Sequence, residues 1–328
     1  MKFGIEGASK PERHGVLQRL GWRSLPVWAK TVLSTGAAAV IASGGWFLNE
    51  HRTIALSDLV SPVYWYHRLL GQDLYDAATA SLMHGNRSLH EVALTFDDGP
   101  HRDSCQSILN TLRANHIHAT FFDVGERMAQ SPNLVRETLA DGNEIGDHTF
   151  THPRLVNVSR ARQHLEINDT DITYYRITGQ HLALIRPPGM RFDPQVLRLT
   201  HAMGYITVGY NTDAHDYDPR SSPEFIARRT LDRVENGSII LLHDYPHPAE
   251  ALPRIVASLK ARGYTFVTIS QMLAHLPPKP RRAALAFLAA HADPAKGAAP
   301  AVLRLARAGG SSVPQTGNIT ASTSRIPR

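Results

Sequence analysis

Apolar runs alternate with stretches of helical periodicity from Glu91 to about Leu276. Seven runs have the length and composition of buried strands, namely residues 91–96, 118–124, 143–147, 181–186, 205–209, 238–242 and 264–268. Helical periodicity predicts helices over residues 104–115, 131–141, 159–175, 193–203, 223–235, 249–262 and 269–275. Such alternation is typical of parallel strands joined by crossover helices. The pattern therefore predicts an α/β fold, a distorted (β/α) barrel of about seven strands.

An uncharged stretch precedes this region. Residues 31–48 read TVLSTGAAAVIASGGWFL, close to the minimum of about 18 residues that a bilayer-spanning helix needs. Six lysines and arginines precede it, and positive charge stays on the cytoplasmic side. We expect a basic cytoplasmic segment over residues 1–30, a single N-terminal transmembrane helix over residues 31–48, and the remainder in the periplasm or outside the cell. A cleaved signal peptide, which would make the protein secreted, and a buried core helix are the alternatives.

The rest of the chain divides by composition. Residues 49–90 are predicted as a linker with lead-in helices, and residues 91–276 as the domain that carries the chemistry. The tail, residues 277–328, is basic and rich in Ala and Pro, which predicts a largely disordered segment, although residues 281–291 could form a helix. The net charge of +6 resides at the two ends, and no basic–aromatic pattern accompanies it, so no nucleic-acid partner is expected. The single cysteine, Cys105, excludes an intrachain disulfide and is predicted to be a half-buried helix residue rather than a ligand.

Two short segments carry candidate metal chemistry. TFDDGP places Asp97 and Asp98 at the end of a buried strand, and HTFTHP supplies His148 and His152. Because side chains alternate along a strand, the two carboxylates are expected to face opposite ways, so that one binds a metal and the other moves a proton. One carboxylate and two imidazoles form the ligand set of an open hydrolytic zinc site. The missing glutamate excludes a HExxH protease, whereas a non-haem iron oxygenase uses the same ligand types.

The motifs TFDDGP, HTFTHP, RPPG, DAHDY and LLHD occur in this order between Glu91 and Leu276. Their order resembles the polysaccharide deacetylase family, the family-four carbohydrate esterases with a chitooligosaccharide deacetylase homology domain. The resemblance implies metal ligands, which are Asp98, His148 and His152. It also implies a general base, an arginine that orients it, a general acid and the aspartate partner of the acid, which are Asp97, Arg186, His243 and Asp216. The implied substrate contacts are Pro188, Gly189, Tyr217 and Leu241.

Three positions depart from the family pattern. Gly189 stands where an aromatic residue, commonly tyrosine, follows the second proline, and its backbone N–H is the expected oxyanion donor. Tyr217 replaces the usual tryptophan, and Asn211 stands where an aspartate is common. Leu241 matches the apolar wall near the acetyl methyl group. His215, Asp218 and His247 are extra polar residues that we expect on exposed loops.

The resemblance implies a metal-dependent hydrolase that removes N-acetyl groups from an envelope or extracellular polysaccharide. Zn²⁺ is the expected metal, with Co²⁺ and Ni²⁺ as alternatives, and the partners are an acetylated polysaccharide or oligosaccharide and the membrane, through residues 31–48. O-acetyl groups are the nearest alternative target. A catalytically weak carbohydrate-binding relative and a cyclic-amide hydrolase of the same superfamily are the competing functions.

Overall fold

The computed structural model describes residues 74–190 and 193–291. The strands are β1 Tyr75–Asp76, β2 Ser81–Leu82, β3 Glu91–Gly99, β4 Thr120–Asp123, β5 Glu144–Asp147, β6 Leu184–Ile185, β7 Ile206–Val208, β8 Thr212–Asp213, β9 Ser238–His243 and β10 Thr265–Phe266. The helices are α1 Arg102–Ala114, α2 Gly125–Gln130, α3 Pro132–Ala140, α4 Arg160–Thr178, α5 Pro194–Ala202, α6 Pro223–Leu231, α7 Pro246–Ala261, α8 Ile269–Ala274 and α9 Pro278–His291. Two 3₁₀ turns, Leu155–Asn157 and Pro188–Met190, complete the described elements.

The strands form one sheet in the order β1-β2-β7-β6-β5-β4-β3-β9-β8, and β10 pairs with the first residues of β3. The pair β1–β2 is antiparallel and every other described pair is parallel. Within the described ranges β8 does not pair with β1, so the sheet is an incomplete barrel. The predicted α/β class and all seven predicted strands are confirmed. The sheet has three more strands than predicted, β1, β2 and β8, which are two residues each and lie outside the seven apolar runs.

The two faces of the sheet have different neighbours. Along β3, Val92, Leu94 and Phe96 pack into the cluster that includes α1 and α7, whereas Ala93 packs into a second cluster on the other face. Alternation along a strand puts Thr95 and Asp97 on the Ala93 face. On the neighbouring strand β9, Ile239, Leu241 and His243 alternate in the same way. One face therefore carries polar residues at the C-terminal ends of the strands, where barrel chemistry is placed.

Side-chain caps begin four of the described helices. Ser159, Asp193, Ser222 and Thr268 each accept a hydrogen bond from the backbone N–H three residues later, which satisfies an N–H that the helix leaves unpaired. Proline stands in the first turn of α3, α5, α6 and α7, where its missing N–H costs nothing. These local signals explain why the predicted helices lie within a few residues of the observed ones.

Both ends of the described domain differ from the prediction. Residues 74–90 contain the strands β1 and β2 instead of the lead-in helices predicted for residues 49–90, because Leu82 is fully buried against β7. The tail predicted as largely disordered from residue 277 begins with α9. Ala284 and Leu288, four residues apart, pack with Met272 and Leu276 in the second cluster. Cys105 is fully buried on α1 rather than half-buried.

Truncating Leu288 tests whether α9 belongs to the folded domain. Leu288 is 2% exposed, so Leu288→Ala should lower the free energy of unfolding by about 2–5 kcal/mol, measured by urea denaturation. The matched control is Leu285→Ala, on the same helix but only partly buried, which should cost less. Equal stability of both variants and the unchanged protein would contradict the packing of α9.

None of the helices in the described ranges is long and apolar enough to cross a bilayer. The transmembrane helix predicted over residues 31–48, and the basic segment before it, lie outside the described residues.

Candidate metal centre and active site

The end of β3 brings two carboxylates to the same side of the sheet. The register of β3 against β4 shifts between Asp97 and Gly99, and Asp98 has a φ of 68°, a left-handed conformation. His148 Nε2 lies 3.3 Å from Asp98 Oδ1 and 3.9 Å from Asp97 Oδ2. The expectation that these two side chains face opposite ways is therefore wrong. The bulge interrupts the alternation of the strand and turns Asp98 toward the same histidine as Asp97.

Asp98, His148 and His152 converge on one point, with their ligand atoms all within 4.8 Å of one another. Asp98 Oδ1 is 3.3 Å from His148 Nε2 and 3.0 Å from His152 Nε2. His148 Nδ1 lies 2.6 Å from the carbonyl oxygen of Arg186, which can only accept, so this nitrogen carries the proton. The lone pair of His148 Nε2 then points at a carboxylate oxygen.

These residues fit a divalent metal. Asp98 Oδ1 is buried without a hydrogen-bond partner, and a lone pair opposite it is repulsive unless a cation lies between the two atoms. Tetrahedral zinc with bonds of about 2.0–2.1 Å separates its ligand atoms by about 3.3 Å, close to the separations found. Holding the other ring nitrogen of a histidine on a carbonyl is also the usual way in which proteins orient a metal ligand. The predicted ligand set is thus brought together.

The loop that carries His148 and His152 is held by hydrogen bonds to Asp147 and Glu166, which lie outside the motifs. Thr149 and His152 have φ values of 65° and 61°, and such strain persists only where the surroundings hold the backbone. Asp147 Oδ1 accepts the N–H of Thr149 at 2.6 Å. Glu166 accepts the N–H and the hydroxyl of Thr151 at 2.7 and 2.8 Å. The only signal in the sequence is an aspartate directly before HTFTHP, since Glu166 comes from α4.

The structure brings Arg186 to Asp97, the pair that the resemblance implies. Its guanidinium is fully buried and donates to Asp97 Oδ1 at 2.6 Å and to Thr95 Oγ1 at 2.8 Å. It also donates to the carbonyl oxygens of residues 208 and 209 and lies over the ring of Phe122. Each nitrogen of the guanidinium donates a hydrogen bond, which fixes the position of Arg186. Arg186 therefore holds one oxygen of Asp97, while the other oxygen faces His148.

His243 stands beside Asp97 on the neighbouring strand, at the same register. Asp216 Oδ1 lies 2.8 Å from His243 Nδ1, and Asp216 Oδ2 accepts the backbone N–H of His243 at 2.7 Å. Burial alone would lower the pKa of His243. The hydrogen bond and charge of Asp216 outweigh burial and, with the charges of Asp97 and Asp98, raise this pKa to about 9. Asp216 therefore favours the protonated form of His243 and orients its ring beside another carboxylate.

Comparison with known proteins places this arrangement in a family. The family model for polysaccharide deacetylase matches residues 84–208. A peptidoglycan-N-acetylglucosamine deacetylase of Bacillus cereus is 34% identical over 188 residues, which cover 56% of this chain and 87% of that protein. The chain belongs to the polysaccharide deacetylase family.

Two further relatives of this polysaccharide deacetylase family member show the extent of the match. The solved structure of the peptidoglycan deacetylase PdaC from Bacillus subtilis superposes with a TM-score of 0.55 at 32% identity, covering 63% of this chain and all 100% of that one. The peptidoglycan-N-acetylglucosamine deacetylase PgdA of Listeria monocytogenes is 31% identical over 182 residues. That alignment covers 55% of this chain but only 38% of the Listeria protein.

This family member departs from the expected pattern at the RPPG motif. Pro188 is buried, whereas Gly189 is exposed in the short 3₁₀ turn and has a φ of 69°. Glycine adopts that conformation without strain, whereas a tyrosine would not. The side chain of Arg154 occupies the neighbouring space, with Nε 3.5 Å from where a Cβ on Gly189 would lie. A flexible cation thus stands next to the position where the family commonly has an aromatic ring.

The remaining predicted substrate contacts lie around His243. Leu241 is buried two residues before His243 on β9, on the same face of the sheet. Tyr217 is 52% exposed, and its ring meets that of His243 edge-on at 6.2 Å between centroids. Asn211, by contrast, accepts the N–H of Ile239 at 2.7 Å and serves to join β8 to β9. Of the four predicted contacts, Tyr217 and Leu241 are thus brought next to the histidine.

A cavity of about 260 Å³ opens beside the site, and its lining includes a residue that sequence reasoning missed. The lining residues are Asp216, Tyr217, Pro219, Tyr245, Pro246, His247 and Pro248. His247, predicted as an exposed loop residue, is exposed but lies in the first turn of α7, where it forms part of the cavity wall. Asp218 pairs with Arg220, and His215 lies against Tyr217. Tyr245 is the missed residue, and its hydroxyl donates to Asp98 Oδ2.

Proposed function

We propose that the protein is a metal-dependent hydrolase that removes N-acetyl groups from an envelope polysaccharide, with Asp97 as general base and His243 as general acid. The observation that carries this proposal is the placement of both groups at one register of neighbouring strands, beside the three converging ligands Asp98, His148 and His152. A base and an acid on opposite sides of one reacting atom are what amide hydrolysis requires. An oxygenase with the same ligands would have no use for either group.

A divalent metal held by Asp98, His148 and His152 would lower the pKa of a bound water and polarise the acetyl carbonyl. Asp97 is placed to take the proton of the attacking water, because Arg186 holds one of its oxygens and leaves the other toward His148. The backbone N–H of Gly189 is the proposed donor to the developing oxyanion. Leu241 would contact the acetyl methyl group.

His243 supplies the proton that the leaving amine needs. The Nδ1 of His243 is held by Asp216, so proton transfer to the substrate proceeds from Nε2. A protonated imidazole with a raised pKa is present throughout the neutral range. The products are acetate and a free amino sugar, with the water proton taken by Asp97 and the amine proton given by His243.

The ligand types favour particular metals, and the relatives indicate which substrate to test first. Two imidazoles and a carboxylate suit Zn²⁺ first, with Co²⁺ and Ni²⁺ as further candidates. The relatives named above are peptidoglycan deacetylases, so acetylated peptidoglycan is the first polymer to test. The exposed ring of Tyr217 in the cavity wall offers a surface on which a sugar ring can lie.

The membrane anchor is a separate proposal. A helix over residues 31–48 would hold the domain outside the cytoplasm, where envelope polysaccharides are accessible, and cleavage there would release it. An exported domain also favours a polysaccharide over a cyclic amide as substrate. A catalytically weak relative is disfavoured because Asp97 and His243 are both present. O-deacetylation at the same site is the nearest competitor.

Acetate release tests the proposal. The purified full-length chain, stripped of metal and reloaded with Zn²⁺, Co²⁺ or Ni²⁺, would be incubated with peptidoglycan, chitooligosaccharides and acetylated xylan. We expect metal-dependent release from the N-acetylated polymers. Release from acetylated xylan alone would indicate an O-acetyl esterase. Metal binding without release from any polymer would overturn the deacetylase function.

The pairing of His243 with Asp216 predicts a pH effect. Because Asp216 raises the pKa of His243, the acid keeps its proton as pH rises until that pKa is passed, and activity then falls. Asp216→Asn removes the charge, so the alkaline limb of kcat/KM should move to lower pH by on the order of 1 unit. The profile would be measured between neutral and strongly alkaline pH. Asp218→Asn, in the same loop but paired with Arg220, is the matched control, and an unmoved limb in Asp216→Asn would contradict the assignment.

A further inference from the structure

Tyr245 contacts the metal ligand and the general acid at the same time. Its hydroxyl donates to Asp98 Oδ2, and its ring stacks on that of His243 with centroids 5.5 Å apart and planes 11° apart. The ring of His101 lies 5.5 Å from that of Tyr245, with the two planes tilted by 52°. Tyr245 also forms part of the wall of the cavity beside the site. Tyr245 directly follows the LLHD motif and belongs to none of the five motifs.

Hydrogen bonds and the following proline restrict the main chain of Tyr245. Its N–H donates to the carbonyl oxygen of His243 at 2.8 Å, and its own carbonyl accepts the N–H of Ala249 at 3.1 Å. Tyr245 is the residue before α7, and Pro246 begins that helix. Proline restricts the residue before it to extended conformations, which matches the φ of −127° and ψ of 164° found here. The hydroxyl is therefore presented from a fixed position at the start of a long helix.

The two oxygens of Asp98 consequently have different surroundings. Oδ2 accepts the hydroxyl of Tyr245, whereas Oδ1 is buried without a hydrogen bond and faces His148 and His152. Arg127 donates to the main-chain carbonyl of Asp98, which holds the left-handed backbone in place. A neutral hydroxyl that donates to one carboxylate oxygen leaves the carboxylate negatively charged. The other oxygen then remains available to bind a cation.

We propose that Tyr245 is a positioning residue that orients Asp98 for metal binding and, through its ring, holds His243 at a set distance from the metal ligands. This inference rests on the proposed metal-dependent function. The hydroxyl donates its single proton to Asp98 Oδ2 and so has no proton left to donate to the substrate. Loss of the Tyr245 hydroxyl should therefore lower metal affinity directly and lower the turnover rate as a consequence.

Metal titration of two tyrosine variants tests this role. Tyr245→Phe removes the hydroxyl and keeps the stacked ring, whereas Tyr264→Phe removes a hydroxyl from a tyrosine that stacks on His90 at the far end of α7. Metal-free full-length protein would be titrated with Co²⁺, and the affinity and the visible absorption of the bound ion would be recorded. Melting of the metal-free variants would establish that each is folded.

We expect Tyr245→Phe to lose about 10- to 100-fold in metal affinity, the loss typical of removing a partner of a metal ligand, with an altered Co²⁺ spectrum. Tyr264→Phe should match the unchanged protein. Equal affinity and an equal spectrum in Tyr245→Phe would overturn the positioning role, and a raised KM alone would make Tyr245 a substrate contact.

The titration also separates this inference from the proposed function. Weaker binding in Tyr245→Phe, together with no acetate release from any polymer by the unchanged protein, would retain the positioning role and overturn the deacetylase. An unchanged protein that binds no metal would overturn both.

Discussion

Replacing Asp98 with alanine should abolish metal binding and, with it, acetate release. Asp98 Oδ1 is the atom that faces both histidines, at 3.3 and 3.0 Å, and it supplies the only negative charge among the three ligands. Without that charge, two neutral imidazoles compete poorly with water for a dication. The affinity should fall by more than the roughly 10- to 100-fold that loss of an outer-shell partner costs. Calorimetric titration of the metal-free variant with Zn²⁺ measures this loss.

A second readout for Asp98→Ala needs no substrate. Metal at 100 times its dissociation constant should stabilise the unchanged protein against urea by about 2.7 kcal/mol, because it binds only the folded chain. The variant should show no such gain. Asp141→Ala is the matched control, since this carboxylate pairs with Arg113 at the surface, and it should keep the full gain. Metal stabilisation of Asp98→Ala equal to that of the control would place the metal elsewhere.

Asp97→Asn should reduce kcat by about 10²- to 10⁴-fold and leave metal binding nearly unchanged. The amide oxygen of asparagine can still accept from Arg186, so the site should keep its shape, but the amide cannot take a proton at neutral pH. The measurement is acetate release at saturating metal and substrate, alongside Zn²⁺ titration of the same preparation.

A fall in kcat without a loss of metal affinity is the result that identifies a general base. Asp141→Asn, the same change at a surface ion pair, should leave both quantities unchanged. An Asp97→Asn variant with full kcat would require another base. A variant that also loses the metal would mean that Asp97, whose Oδ2 lies 3.9 Å from His148 Nε2, is itself a ligand.

The prediction of strands succeeded for β3, which is buried on both faces. All nine residues of β3 are buried, and the apolar run from Val92 to Phe96 shows this directly. The two-residue strands β1, β2 and β8 were missed because their pairing depends on neighbours distant in sequence, such as Leu82 with Val208. The helix α9 was allowed for over residues 281–291, but its packing was not predicted, because only Ala284 and Leu288 of this Ala-rich helix are buried.

The prediction from motifs named residues that the structure brings together. Asp98, His148 and His152 converge, Arg186 reaches Asp97, and Asp216 reaches His243. It failed for the direction of Asp98, because alternation assumes a regular strand and the backbone at Asp98 has a positive φ. It also assigned no role to Tyr245, Asp147 or Glu166, because these residues lie outside the short motifs.

Sequence alone therefore determined the fold class, the family and the chemical types at the site, because periodicity and motif order are local properties of the chain. Only the tertiary structure decided which atoms meet. It places Asp97 and His243 at one register, and it turns Asp98 by a bulge toward two histidines from another loop. It also places Tyr245 against Asp98, a residue distant along the chain. The physical reason is that pairing between strands and packing of loops set these distances, and both depend on residues far apart in sequence.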